Sequence, residues 1–381
     1  MVFAPYMKRL SAFLLMFAVL TAHAQELNFW QKVNELLTTM KNIDSAYIYQ
    51  PKQHFTLGLF STVQSAGFDS RAKFSFLEDG NVTSGVTKYS LGTYPSTKIG
   101  LELGYGKFVL GYGFEVGPKR AYQKRLLGVN LLGKAWGLHC SYFSINNTFS
   151  STIELSNGDE EPYYEDTYIA PDPAMLRYLN IDGYYVFNHK RFAYPATYKA
   201  GLVQRRTSGS WMVTMRFMHG NLFATPDASY SSYFFMDCFN TTQVSLGGGY
   251  SVNFVCWHKD PTGLRDKGLR NITLNVTALP VLTALNHIRT TSYNYEDEEF
   301  SGTTVSDIFC YPMPNFIGST ALGITLDRFF ISARFVYDWS YFHSNYAFNA
   351  DEQHISDRVD ELTLRGYLHN WSAKLLFTYK F

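Results

Sequence analysis

The chain has 381 residues, with 33 Lys and Arg against 32 Asp and Glu, a formal charge of +1 that implies neither nucleic acid nor any strongly charged partner. Aromatic residues make up 17%, with 28 Tyr and 31 Phe, more ring surface than a soluble core needs. Membrane barrels place such rings in two interfacial girdles, and a mean hydropathy of −0.15 is compatible with that, because half of each barrel strand faces a polar lumen.

Lys8 and Arg9, the apolar run Leu10–Leu20 and the triplet Ala22-His23-Ala24 have the layout of a secretory signal peptide over residues 1–24. The run is too short to cross roughly 30 Å of hydrocarbon as a helix, and no lipoprotein-type Cys follows it. Its removal takes two basic residues and no acid, leaving a net charge of −1. No later stretch is apolar for about 20 residues, so an exported chain of this kind is soluble, peripheral or a barrel. Cys140, Cys238, Cys256 and Cys310 allow three pairings, none of which the sequence selects. With no CxxC and no Cys/His spacing of a zinc site, buried thiols or one loop disulfide are expected, with no metal and no cofactor.

Leu27, Trp30, Val33, Leu37 and Met40 recur every three to four residues, which predicts a helix over Glu26–Asn42, ended by Asp44 and Pro51. Residues 25–50 thus form a helix and lead-in, and residues 51–381 a β-barrel. From His54 the period changes to two. Strands are predicted at His54–Val63, Arg71–Leu77 and Lys98–Tyr105, then from Phe108 to Phe114 after a turn at Gly106. Arg125–Leu132 and Trp136–Ser144 form a hairpin around Gly133-Lys134. Residues 146–182 read as a long acidic loop with Glu154, Asp159, Glu160, Glu161, Glu165, Asp166, Asp172 and Asp182 opposed by Arg177 alone. Between Gly183 and Pro226 the sign reverses: there is no acid, but Lys190, Arg191, Lys199, Arg205, Arg206 and Arg216 are present. Strands follow at Trp211–His219, Gln243–Cys256, Asn271–Thr277, Phe316–Leu326 and Phe329–Trp339, with polar loops at Tyr293–Glu299 and Asn345–Glu361. Gly247-Gly248-Gly249 lies inside a strand, where it relieves crowding or bends the sheet rather than cradling phosphate.

In the last segment Trp371, Ala373, Leu375, Phe377, Tyr379 and Phe381 share one parity, and Ser372, Lys374, Thr378 and Lys380 the other. That is similar to the closing strand of outer-membrane barrels, and Phe377, Tyr379 and Phe381 would form the signal read by the barrel assembly machinery. Lys374, Lys380, Arg334, Arg216, Glu102 and Glu115 all fall opposite the aromatic face. A soluble barrel would show the same alternation with its faces exchanged, but export and the charge placement favour a polar lumen and a lipid-facing belt. The expected fold is an all-β, closed antiparallel transmembrane barrel of roughly 12 to 14 strands with a short N-terminal helix. One feature resists it. Counted from His54, short turns follow odd strands and long loops even ones, the reverse of a barrel with both termini in the periplasm. Either a further strand or inward-pointing long loops are required.

The segment Asp182-Gly183-Tyr184-Tyr185-Val186-Phe187-Asn188-His189-Lys190-Arg191-Phe192-Ala193-Tyr194-Pro195-Ala196, then Gln204-Arg205-Arg206-Thr207-Ser208-Gly209-Ser210, resembles the central motif of an uncharacterised family of exported Bacteroidetes proteins, catalogued as a domain of unknown function. Asp44-Ser45-Ala46-Tyr47-Ile48, with Pro51, and the pair Ile99–Val116 resemble it too. The resemblance implies an outer-membrane barrel-like protein without an assigned activity. The acidic stretch Asp159–Asp166 departs from that motif.

Among candidate sites, His189, Lys190, Arg191, Arg205, Arg206 and Arg216 form either an anion-binding group, since Arg forks match phosphate oxygens, or a lumen network paired with the preceding acids. The second is favoured. His139, His189, His219 and His258 with Gly209-Ser210 offer parts of a hydrolase triad, but no spacing selects a nucleophile and there is no GxSxG. Asn157–Asp166 lacks the ligand spacing of a calcium loop. The expected function is a non-enzymatic barrel of the Gram-negative outer membrane, for passage or binding of a small polar or anionic molecule or for envelope structure. Its expected partners are outer-membrane lipid, lipopolysaccharide and the assembly machinery. The alternatives are a lipid- or lipopolysaccharide-modifying enzyme and a soluble periplasmic lipid-binding barrel.

Overall fold

Ile99, Leu101 and Leu103 point outward while Lys98, Gly100 and Glu102 point inward, and this two-residue alternation organises the chain into a closed ring. The computed structural model describes residues 27–40, 42–78, 81–93, 95–116, 125–156, 164–169, 174–223, 238–262, 267–296, 299–346 and 359–381. The expected signal peptide and four of the loop acids, Asp159, Glu160, Glu161 and Asp172, lie outside the described residues, as does most of the stretch considered for calcium.

Twelve strands form the ring: β1 Phe55–Glu78, β2 Ser96–Tyr105, β3 Phe108–Glu115, β4 Arg125–Leu132, β5 Trp136–Ser156, β6 Ala174–Val186, β7 Ser208–Phe223, β8 Cys238–Lys259, β9 Arg270–Glu296, β10 Met313–Leu326, β11 Phe329–Tyr346 and β12 Val359–Lys380. Each pairs antiparallel with its successor, and β12 returns to β1 from Val359 opposite Phe76 down to Lys380 opposite Thr56. Closure satisfies the main-chain groups that an edge strand leaves open. Three further strands extend the wall: Asn81–Thr93 pairs with the far ends of β1 and β5, Tyr164–Ile169 with β5, and Glu299–Cys310 with β9. The helix spans Leu27–Thr38, in a unit of residues 1–41 distinct from the barrel unit that begins at Asn42.

The structure corrects the strand count where the alternation was broken. His54–Val63 and Arg71–Leu77 are one strand, β1, running through the small and polar Ser65-Ala66-Gly67. Merging them shifts the parity by one. Short turns at Gly106, Gly133 and Asp327 then lie at one end with both ends of the ring, together with the longer connections 187–207 and 260–269. The stretch 146–182 is also largely strand rather than loop, since Ser150–Leu155 pairs with Tyr164–Ile169 and Asn147 pairs with Ala174.

The outward face is a continuous belt of Leu, Phe, Tyr and Trp. Leu375 is 62% exposed and Trp211 66%, whereas Lys98 is fully buried. Faces exchanged in the sense of a soluble barrel would put the rings inside. Gly247 and Gly249 allow β8 to approach β9 closely: a Cβ at Gly249 would stand 2.0 Å from the Ala278 carbonyl oxygen, and one at Gly247 2.4 Å from that of Pro280.

Candidate functional site

Residues 187–207 connect β6 to β7 at the short-turn end and fold into the lumen. Their apolar run Phe192-Ala193-Tyr194-Pro195-Ala196 would be exposed on a rim, and inside the ring it is buried. Pro195 sits in a 3₁₀ turn, Tyr194–Thr197, where its fixed φ fits. Phe192, Tyr194 and Tyr198 pack on Val186, Met212, Leu279, Val281, Ile317 and Ala321, while Ala200 meets Phe60, Phe330 and Leu376. Gly323 lets the plug backbone lie flat on β10, since a Cβ there would stand 2.8 Å from Thr197 Cα. Ser332 Oγ donates to the Thr197 carbonyl at 2.8 Å, and Asn253 Nδ2 to that of Ala193 at 2.8 Å.

Gln204 joins these pieces. Its side chain, fully buried, donates to the carbonyls of Arg191 (2.7 Å), Arg206 (3.0 Å) and Tyr47 (3.2 Å), and accepts from the Ala193 N–H at 2.9 Å. Asn271 Nδ2 donates to its main-chain carbonyl at 2.8 Å. The lead-in is tied to the same place by a two-residue ladder, Ile48 opposite Gln204 and Tyr49 opposite Val203, and by the Asp44 N–H donating to Lys190 O. The lead-in segment at Asp44–Ile48 and the central motif, both singled out by family resemblance, are therefore one structural unit.

The six candidate cations do not converge. His189, Lys190 and Arg191 lie in the turn after β6. His189 Nδ1 is 3.3 Å from Val186 O, Lys190 is exposed, and Arg191 pairs with Asp44 at 3.2 Å while lying over the Tyr47 ring. Arg205 pairs with Asp260 and donates to Ser45 O, and Arg206 lies over Tyr47. The hydrogen bonds from Arg205, then from His258, hold the Asp260 carboxyl below its ordinary range. Only Arg216 among the six projects into the lumen, between Asp182 and Asp338. Thus one acid of the expected acidic stretch does meet a cation, and the rim cations find Asp44 and Asp260 instead.

Above the plug lies a cavity of about 240 Å³ lined by Tyr184, Tyr194 and Tyr198 at its floor and by a set of charges. Lys199 of the plug and Lys374 of β12 both bond Glu102 of β2, the first at 2.7 Å. Arg334 of β11 lies over the Tyr198 ring, 4.3 Å from its centroid. Arg216 with Asp182 and Asp338 forms a second group, Asp338 lying on β11 four residues from Arg334, and Asn130, His139, Ser141, Asn180 and Asn370 are among the other polar residues of the lining. Residue order alone singles out only Arg216 of this set: the alternation puts Glu102, Arg334 and Lys374 on the inward face without joining them, and leaves Asp338 unmarked. The available signal was an ionisable side chain amid rings, Tyr337-Asp338-Trp339, in a strand that crosses hydrocarbon.

The parts considered for a triad are engaged elsewhere. Ser210 Oγ accepts from the Asn188 N–H at 2.8 Å and donates to Trp211 O. His139 contacts Asn130 Oδ1 and His219 contacts Thr242 Oγ1. His258 sits 2.9 Å from Asp260. Cys140, Cys256 and Cys310 are free thiols, with Cys310 buried.

Among solved structures the chain is similar to the outer membrane protease OmpT from Escherichia coli, at 7% identity over 85% of this chain and 97% of that one, with a TM-score of 0.39. It is also similar to a Pseudomonas aeruginosa FadL homologue, at 6% identity over 86% and 90%, with a TM-score of 0.21. Likenesses this distant carry no argument about activity. No curated protein matches the chain. A family model described as "Domain of unknown function (DUF4421)" matches residues 42–359, from the lead-in through the first residue of β12, and the chain belongs to that family.

Proposed function

We propose that this chain is an outer-membrane barrel that binds a small polar or anionic molecule inside a closed lumen, and does not act as an open diffusion pore. The observation that carries the reading is the plug, residues 187–207. It packs on inward side chains of β1, β7, β9, β10, β11 and β12 and floors the cavity above itself. A porin of this size needs a free lumen, whereas a binding barrel needs a floor.

The apolar belt would face outer-membrane lipid and lipopolysaccharide, with the short-turn end towards the periplasm. Phe377, Tyr379 and Phe381 would serve the assembly machinery: Phe377 and Phe381 stand exposed on the outer face, and Phe381 closes on Phe55 with ring centroids 5.4 Å apart.

The test is single-channel recording on the purified full chain in planar bilayers. Wild type is expected to show no steady conductance, and replacing residues 189–206 by a short Gly/Ser linker is expected to open one. A steady ohmic current through wild type would overturn the reading.

A further inference from the structure

The cavity is electrically lopsided. On one wall Arg334 and Lys374 are directly opposed partners across β11 and β12, both on the inward face. Like charges placed opposite one another in an antiparallel pair are destabilising. Lys199 stands on the same side, and the one carboxylate bonded there, Glu102, is shared by Lys199 and Lys374. Arg334 has no carboxylate partner among the described residues and rests on Tyr198 alone. Arg216 has the converse surroundings, held between Asp182 of β6 and Asp338, which stands on β11 four residues along from Arg334. Beside it Asn180 Oδ1 is buried without a hydrogen-bond partner. Burying an unmatched charge or acceptor in a closed lumen is costly unless something occupies the space.

The geometry points to a site for a small phosphate monoester, its phosphoryl group against Arg334, Lys374 and Lys199 and a hydroxyl-bearing body towards Asn180, Asp182 and Asp338. This rests on the closed-lumen reading above and names the ligand class. A wall with three cations and one carboxylate leaves an excess of two positive charges, and a phosphate monoester carries about −1.5 to −2 at neutral pH. The Arg fork supplies paired donors to phosphate oxygens, which a lysine alone does not. Around Arg216 acceptors are in excess, with two carboxylates and the unpartnered Asn180 Oδ1, which suits a ligand body that brings donors, as hydroxyl groups do. The volume, about 240 Å³, falls below the roughly 300–1,000 Å³ of drug-sized pockets, which limits the body to about a single sugar ring or smaller.

The experiment is calorimetric titration of the folded full chain in detergent with glucose 6-phosphate, inorganic phosphate and glucose. Glucose 6-phosphate is expected to bind saturably, and glucose at least tenfold more weakly or not at all. Inorganic phosphate binding as tightly as the ester would also support the site and identify free phosphate as its source. Arg334→Gln is expected to lose at least tenfold in affinity while keeping heat-modifiable migration, whereas Arg191→Gln at the rim changes nothing. Equal binding of glucose and its phosphate, no binding of either phosphate probe to folded wild type, or unchanged affinity in Arg334→Gln would each overturn the assignment. Bilayer recording separates this failure from that of the parent reading: a silent wild type that binds no phosphate probe sinks only the ligand class.

Discussion

Two polar clusters share this lumen and are built on opposite rules. Around Gln204 the groups are neutral, and the amide has partners for both its oxygen and its nitrogen: carbonyls from the lead-in and the plug, and the Ala193 N–H. Around Glu102 the groups are charged and mismatched, with Lys199 and Lys374 on one carboxylate and Arg334 beyond it. A satisfied buried network fixes a structure, and a partly satisfied one carries a cost. The first cluster is therefore read as a joint and the second as a receptor.

The largest expected effect breaks the joint. Gln204→Ala strips partners from several buried main-chain groups at once, and each orphaned group costs on the order of 1–3 kcal/mol. Water entering the space offsets part of that, leaving a loss of about 3–5 kcal/mol. Urea unfolding of the barrel in detergent measures it, and bilayer recordings should show intermittent openings as the plug loosens. A loss below about 1 kcal/mol, the size of a single ordinary hydrogen bond, would mean that Gln204 is not the joint.

Glu102→Gln sharpens the other side of the comparison. Removing the one shared carboxylate leaves three cations facing each other, with an expected loss of about 2–4 kcal/mol, somewhat below the roughly 3–5 kcal/mol of a fully buried pair because the Lys374 side chain is 28% exposed. If charge excess is the cause, adding Lys374→Met to Glu102→Gln should restore at least half of that loss. Two losses that simply add would mean that the residues act independently.

The ring itself was legible from residue order. Leu375 and Phe377 against Lys374 and Thr378, or Leu101 and Leu103 against Glu102, state the two faces without any coordinates. Continuity was not legible, because Ser65-Ala66-Gly67 in β1 interrupts the alternation without ending the strand, and a register shared with β12 carries it through. The acidic stretch hid strands because its residues show no sustained two-residue apolar alternation, while the pairing of Ser150–Leu155 with Tyr164–Ile169 is set by the neighbouring chain. The plug and the cavity lay furthest from view. Glu102 and Lys374 are 272 positions apart and meet only because the ring closes. The cations near His189 are adjacent in the chain, yet the turn after β6 sends them apart: Arg191 to Asp44 and Tyr47 at the rim, Lys190 to the exposed surface and His189 back to Val186 O.

The smallest expected effect tests the outer margin of the joint, where Arg205 follows Gln204 and pairs with Asp260 in the connection after β8. Asp260 is 56% exposed at its side chain, so the pair contributes about 0.2–1 kcal/mol at most, as surface pairs do. Its folded carboxyl lies below the ordinary value because Arg205 and His258 bond the ionised form. A depressed carboxyl stabilises the fold at pH above the unfolded value, about 3.9, and that contribution disappears as the pH drops through the folded value. The stability gap between wild type and Asp260→Asn should accordingly be constant from pH 7 to about 5 and close on further acidification. Urea midpoints of the two proteins, taken in parallel across that range and at 0.15 M salt, give the gap directly. A gap that widens in acid would show Asp260 to be held neutral in the fold, and the rim would then belong with the charged cluster rather than with the neutral one.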